Sequence, residues 1–189
     1  SSPLTIGKTI ADLAVVKAEY KVNYGVPTMP VMGANAPITV AGTAVMGIAE
    51  ILGGYVLAKS LNPETLVSAV ALSALMDMKT GSMVYVAPEV FAADIAIKET
   101  FELHLGLPCH VHGNYIDAKL PGMRAVHERL MRLLGLGLYG NMTGTQGTLD
   151  QGKVFSPTQL MLDYDINRFL AAYTAEPTVN TDTLAVDVI

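Results

Sequence analysis

The run LVSAVALSAL, Leu66 to Leu75, restricts the fold more than any other stretch. It is nearly unbroken in its apolar character and of strand length, which is how a parallel strand buried on both faces reads. The polar stretch MDMKTGSMVYVAP follows it, and then Pro88-Glu89, residues that a first helical turn prefers. A buried strand, a polar loop and a helix make one unit of a parallel α/β assembly with right-handed crossovers.

The same grammar recurs along the chain. Ile6, Ile10, Leu13, Ala14 and Lys17 fall at helical spacing, which predicts a helix from Ile6 to Tyr20 before the first strand. VPTMPVM, Val26 to Met32, is apolar but carries Pro27 and Pro30, so an irregular strand is expected there. The small-residue run Ala41 to Lys59 predicts a helix ending near Asn62-Pro63. After Pro88, a stripe of Val90, Ala93, Ile97, Phe101 and Leu105 runs to Gly106. LPCHVHG is then the next strand and NYIDAKLPG its loop. Met123 to Leu134 is the next helix, with Arg124, His127, Glu128 and Arg132 on its wet side. GLGLYGNM reads as a weak strand and TGTQGTLDQGKVFS as a loop, after which Ser156-Pro157 open a last helix to about Ala172.

Four successive strand–loop–helix units place residues 1–189 in one α/β domain of parallel (β/α) units. A doubly wound sheet and a (β/α)8 barrel both satisfy this grammar. A barrel normally has eight units and about 250 residues, so four units correspond to half of a TIM-type (β/α)8 barrel. In either architecture the loops after the strand C-termini carry function.

Composition narrows the function. The net charge is -5 with no basic block, so a nucleic-acid partner is not supported. The single Cys109 cannot form an internal disulfide, and a cytoplasmic setting is expected. The apolar stretch Val40 to Ala58 is borderline in length for a membrane span and is interrupted by Gly42, Gly47, Glu50, Gly53 and Gly54, so no membrane segment is expected. The opening Ser-Ser-Pro carries no start or leader cue, and cut ends are expected.

The loops of the active face offer neutral hydrogen-bonders and aromatic rings more than charges. His110 and His112 are two apart on a strand and so share a face, but no third histidine or carboxylate motif accompanies them. Hydrogen-bonded histidines are therefore expected, and no metal. Asp117 and Lys119 read as an ion pair holding the loop, or as an acid–base couple. G-L-G-L-Y-G before Asn141 matches the dinucleotide fingerprint formally, yet precedes a polar loop instead of opening a helix. Tyr85, Tyr115 and Tyr139 fall in or beside successive loops, and several rings around one cavity is how proteins hold quaternary ammonium.

MPVMGANAPITVAGTAVMGIAEIL, DMKTGSMVYVAPE, GLPCHVHGNYIDAKLPG and GLGLYGNM occur in that order and spacing. Together they resemble the trimethylamine methyltransferase family over effectively the whole chain. The resemblance implies a (β/α)8 barrel that moves a methyl group from a methylated amine to the cobalt of a corrinoid (cobalamin) carried on a separate partner protein. It further implies that this chain is the C-terminal half of that barrel, and that self-association into a homo-oligomer, or stabilisation by other chains, is to be expected. Founding members carry pyrrolysine in the loop matching GNYIDAK, at Tyr115 or, one residue earlier, Asn114. An ordinary residue at both positions resembles the non-pyrrolysine branch, which implies a quaternary amine of the glycine betaine kind. Trimethylamine, another methylamine, or binding without turnover are the alternatives. Tyr115 and Asn114 are then expected at the reacting centre, with Tyr85, His112, Tyr139, Asp117, Lys119 and Asn141 around the substrate. A lyase or aldolase barrel would need a Schiff-base lysine or a metal, and only Lys79 and Lys119 lie on the right face.

Overall fold

The computed structural model describes residues 3–113, 115–137 and 146–188. The chain runs through helix α1 (Lys8–Glu19), strands β1 (Tyr24–Pro27) and β2 (Val31–Met32), and helix α2 (Val40–Leu61). Strands β3 (Val67–Ala71), β4 (Ala74–Asp77) and β5 (Ser82–Val84) precede helix α3 (Pro88–Glu99), strand β6 (Cys109–Val111) and helix α4 (Met123–Gly137). A hairpin of β7 (Thr148–Leu149) and β8 (Val154–Phe155), helix α5 (Pro157–Thr174) and the short α6 (Thr181–Leu184) complete it.

Strands β1, β3 and β6 form a parallel sheet in that order. Each strand is added beside the one before it, so the described strands show no reversal of the kind that divides a doubly wound sheet. Pro30 splits the strand expected over Val26–Met32. Thr28 still donates to the Val70 carbonyl at 3.0 Å and Ala74 to the Pro30 carbonyl at 3.0 Å, and parallel pairing resumes between β2 and β4. The run Leu66–Leu75 is broken as well. At the break the Ser73 N–H leaves the sheet and donates to Asp94 Oδ1 of α3 at 2.7 Å. The stretch expected as a loop after it is an antiparallel hairpin of β4 and β5. Its turn is closed by the Asp77 carboxylate, which accepts from Lys79 N and Thr80 Oγ1 and is held below the usual carboxylate range, chiefly by the Thr80 hydroxyl.

Burial on β3 alternates: Val67, Ala69 and Ala71 are buried while Ser68 and Val70 are half-buried. Covering of both faces, expected from the apolar run, is thus found on one face only among the described residues. The covered face carries Tyr24, Val26, Ala69, Ala71, Cys109 and Val111 against Ile51 of α2, Ile97 of α3 and Phe101 beyond it. Burying side chains such as Ile97 and Phe101 contributes about 1.5–3 kcal/mol each. Gly54 lets α2 approach β1, because a Cβ there would run into Val26. α2 is long and apolar enough to cross a membrane by length and composition, but its stripe of Ala44, Gly47, Ile51, Gly54 and Ala58 is buried inside the protein. The opposite sheet face, with Gly25, Pro27, Ser68, Val70 and His110, is half-buried or exposed.

Helix boundaries follow local chemistry. Thr39 caps α2 by accepting from Gly42 N, and Ser156 caps α5 by accepting from Gln159 N, each at 3.3 Å. Leu105, expected on the α3 stripe, is exposed, because the chain widens into a π-helical turn over Thr100–His104. α4 runs on to Gly137, so Gly135 and its two successors, expected to open a weak strand, are helical; the rest of that expected strand lies outside the described residues. The expected loop before α5 contains the β7–β8 hairpin. On α4 the expected wet side is wrong for two residues: Glu128 and Arg132 are buried together with Arg129, while Arg124 and His127 are exposed.

Candidate functional site

The ends of β6 and of the β4–β5 hairpin bring three rings together. Tyr115 lies half-buried in the loop after β6, with its ring centroid 5.2 Å from that of Tyr85 in an edge-on arrangement and 4.6 Å from that of His112. Tyr85 is only 2% exposed, so Tyr115 presents the larger share of accessible tyrosine surface. The Tyr85 hydroxyl faces the sulfurs of Met29 and Met83 at 3.7 and 3.8 Å. Burial pushes its phenol above the ordinary range and pulls His112 below it, with Arg132 adding to the effect on His112. His112 is thus neutral at neutral pH, and its Nδ1 is buried without a hydrogen-bond partner among the described residues.

The loop carrying Tyr115 is gripped from three sides. The Asp117 carboxylate accepts from the backbone N–H of Tyr85 and Val86 at 3.1 Å each. The Glu128 carboxylate accepts from the N–H of Asp117 and Ala118 at 2.8 and 2.7 Å, and is itself held by Arg124 at 2.7 Å. The tip of the β7–β8 hairpin closes the third side: Gln151 N donates to the Ile116 carbonyl and Asp150 N to the Ala118 carbonyl, both at 2.8 Å. Asp150, Gln151 and Gly152 hold positive φ values of 46°, 61° and 84°, a left-handed tip that brings Gly152 against the Tyr115 ring. A Cβ on Gly152 would stand 2.5 Å from Tyr115 Cε1, so only glycine fits both the backbone and the space.

Asp117 is therefore a loop clamp and does not pair with Lys119. Burial raises its carboxyl, partly offset by the N–H bonds from Tyr85 and Val86. Lys119 is exposed and lines a cleft of about 880 Å³ together with Asp77, Met83, Asp117, Arg124, Gln151 and Lys153. The cleft shares Met83, Asp117 and Gln151 with the surroundings of the rings. Asn114, Tyr139 and Asn141 lie outside the described residues. His110 and His112 do not form a pair of ligands of equal standing: His110 is exposed on the bare sheet face, while His112 has left the strand. Among the described residues no group of three His, Cys, Asp or Glu side chains could hold a metal ion.

Sequence reasoning missed the charges beneath the loops. Arg132, fully buried, donates to the carbonyls of Tyr85 and His112 and lies 3.5 Å from Asp94. Arg129 donates to Asp163 at 3.1 Å and to the Thr148 carbonyl at 2.7 Å. Asp163 also accepts from Gly147 N and Gln159 Nε2, each at 2.7 Å. A signal existed: Asp94 sits on the same stripe as Val90, Ala93 and Ile97, and an acid on an apolar stripe demands a buried cation.

The sequence profile described as trimethylamine methyltransferase (MTTB) matches residues 1–189. The chain belongs to the trimethylamine methyltransferase family. It is 32% identical over 190 aligned positions to the trimethylamine methyltransferase MttB of Methanosarcina barkeri (strain Fusaro / DSM 804), a match covering 100% of this chain and 38% of that protein. Against the trimethylamine methyltransferase MttB of Desulfitobacterium hafniense (strain DSM 10664 / DCB-2) the identity is 28%, again over 100% of this chain and 38% of the relative. A glycine betaine methyltransferase of Desulfitobacterium hafniense (strain Y51) is 31% identical over 166 positions, 87% of this chain and 34% of that protein. This family member thus spans well under half the length of the curated relatives it matches. The ring loop, its three clamps and the adjoining cleft lie within the span aligned to the two trimethylamine methyltransferases.

Proposed function

We propose that this chain forms part of a methyltransferase that takes a methyl group from a quaternary amine of the glycine betaine kind and passes it to the Co(I) corrinoid of a partner protein. The observation that carries the reading is the Tyr85–Tyr115–His112 ring cluster, with the half-buried Tyr115 ring at its wet side and a neutral imidazole beside it. Such a wall attracts a quaternary ammonium through the ring faces, and a neutral His112 does not repel it. Family membership supplies the reaction class, and the 31% identity to a glycine betaine methyltransferase supports the donor class.

The chemistry asks little acid–base work of the chain. When methyl leaves a quaternary nitrogen, the amine keeps the electron pair of the broken C–N bond and departs neutral, so no proton has to be delivered. The residues therefore position the donor and exclude water. Tyr115, with Tyr85, forms the ammonium wall. His112 stands beside that wall on the substrate side, and Lys119 is assigned to the polar end of the donor. Asp117 acts through the loop it clamps. The corrinoid supplies the Co(I) nucleophile when its partner presents it. The cleft edged by Asp77, Lys119, Arg124 and Lys153 offers both donors and acceptors, which fits the amide-fringed rim of a corrinoid.

In this reading the parallel strands β1, β3 and β6 are consecutive members of a (β/α)8 barrel, and their bare face is its interior. The unreversed strand order and the one-sided cover support it. A cytoplasmic setting and a homo-oligomeric assembly complete the proposal. The buried Cys109 thiol, pushed up to about 12 mainly by burial, is suited to packing and not to redox work. Trimethylamine is the second reading for the donor, favoured by the names of several relatives.

The test supplies the intact protein with quaternary and tertiary amines and a reduced corrinoid partner, and follows methyl-cobalt formation by absorbance. Methylation with a betaine and not with trimethylamine is the expected result. The reverse preference would select the second reading, and silence with every donor despite an active corrinoid partner would overturn the reaction.

A further inference from the structure

One buried ion pair ties together the ends of three strands, two of which carry rings of the cluster. Arg132 of α4 is 0% exposed. It donates to the Tyr85 carbonyl at 2.6 Å and to the His112 carbonyl at 2.7 Å. Asp94 of α3, also 0% exposed, stands 3.5 Å from the same guanidinium and accepts from Ser73 N at 2.7 Å with its other oxygen. Ser73 follows β3, Tyr85 follows β5 and His112 follows β6, so the pair fastens three strand ends from behind. A buried ion pair is a weak source of net stability compared with apolar packing. Tyr85 and His112 are the two rings that flank Tyr115, and Arg132 holds the backbone of both.

We propose that Arg132, steadied by Asp94, is a positioning residue for the ammonium wall: its fork fixes the backbone of Tyr85 and His112 so that their rings hold Tyr115 at the angle a cation requires. The proposal rests on the quaternary-amine reading above. The planar guanidinium meets the two carbonyls through separate nitrogens, Nη1 and Nη2, held in a fixed fork; a lysine would keep the charge but offer both carbonyls a single nitrogen at a different place.

The experiment compares Arg132→Lys with Arg129→Lys in the intact protein. Arg129 is a second buried arginine on α4, whose donations to Asp163 and Thr148 tie α4 to α5 and the β7 strand. Tetramethylammonium binding is measured by calorimetry, and the methyl signals of Met29 and Met83, whose sulfurs face the Tyr85 hydroxyl, are followed by NMR of methyl-labelled methionine. Arg132→Lys is expected to weaken cation binding about tenfold and to shift both methyl signals. Arg129→Lys is expected to lower the melting temperature while leaving affinity within about twofold and the methyl signals in place. Equal effects of the two variants, or a folded Arg132→Lys with unmoved methyl signals and unchanged affinity, would overturn the positioning role. If Arg132→Lys does not fold, Asp94→Asn, which keeps the side-chain volume and removes the counter-charge, carries the same expectations. Should the unaltered protein bind no tetramethylammonium, the quaternary-amine reading fails, and the methyl shifts still decide whether Arg132 sets the rings.

Discussion

Tyr115 carries the sharpest prediction, because it is the more accessible of the two clustered tyrosines and one position can separate ring from hydroxyl. Replacing it by alanine removes the ring that Tyr85 meets edge-on at 5.2 Å and His112 meets at 4.6 Å. A cation–π contact is worth about 0.5–2 kcal/mol, the upper end applying to desolvated sites. Loss of the contact therefore weakens binding of a quaternary amine by roughly two- to thirtyfold, with the half-buried ring pointing to the middle of that range. Phenylalanine keeps the ring face and so should stay within about threefold of the parent. Titration calorimetry with glycine betaine and tetramethylammonium on the intact protein measures both. The loop should survive either change, since Asp117, Glu128 and the hairpin tip hold it by bonds that do not involve the Tyr115 side chain. Unchanged affinity in Tyr115→Ala would remove the residue from the wall. Equal losses in Tyr115→Ala and Tyr115→Phe would show that the hydroxyl and not the ring matters, and would refute the reasoning.

Other perturbations test the supports of the loop. Gly152→Ala forces a side chain onto a φ of 84° and against the Tyr115 ring, so it should destabilise by about 1–2 kcal/mol from backbone strain alone and weaken cation binding as well; a melting curve matching the parent's would refute it. Asp163→Ala leaves the Arg129 charge buried beside Gln159 and should cost about 3–5 kcal/mol in denaturant unfolding, far more than an exposed carboxylate would. Asp94 is held up to about 6, with burial outweighing the pull of Arg132. A carboxyl raised on folding stabilises fully below its unfolded value of about 3.9 and loses that contribution as pH rises through the folded value. The melting temperature of the parent minus that of Asp94→Asn should therefore fall between about pH 4 and pH 6 and level off above; a difference that grows over that window would contradict the assignment.

Much of the frame was legible in the chain itself. The apolar runs fixed where strands would lie, Pro88 and Ser156-Pro157 fixed where two helices begin, and the ordered sequence blocks pointed to the family whose profile spans the chain. These are local signals, carried by period, capping and composition, and they survive in one dimension. The ring loop was legible for the same reason: NYIDAK is a polar cluster between apolar segments.

What the sequence did not disclose depends on partners far apart in the chain. Arg132 and Glu128 look solvated on a helical projection, and only the packing of α4 against α3 and the β6 loop shows them buried, with partners at Asp94, Tyr85, His112 and Asp117. Asp117 looked like a partner for its near neighbour Lys119, yet its oxygens meet N–H groups about thirty residues back, at Tyr85 and Val86. Periodicity determines which face of an element seeks burial. Which charge waits there to receive it is decided by three-dimensional proximity, because a buried ion needs its counter-charge within a few ångströms and is indifferent to how many residues separate the two along the chain.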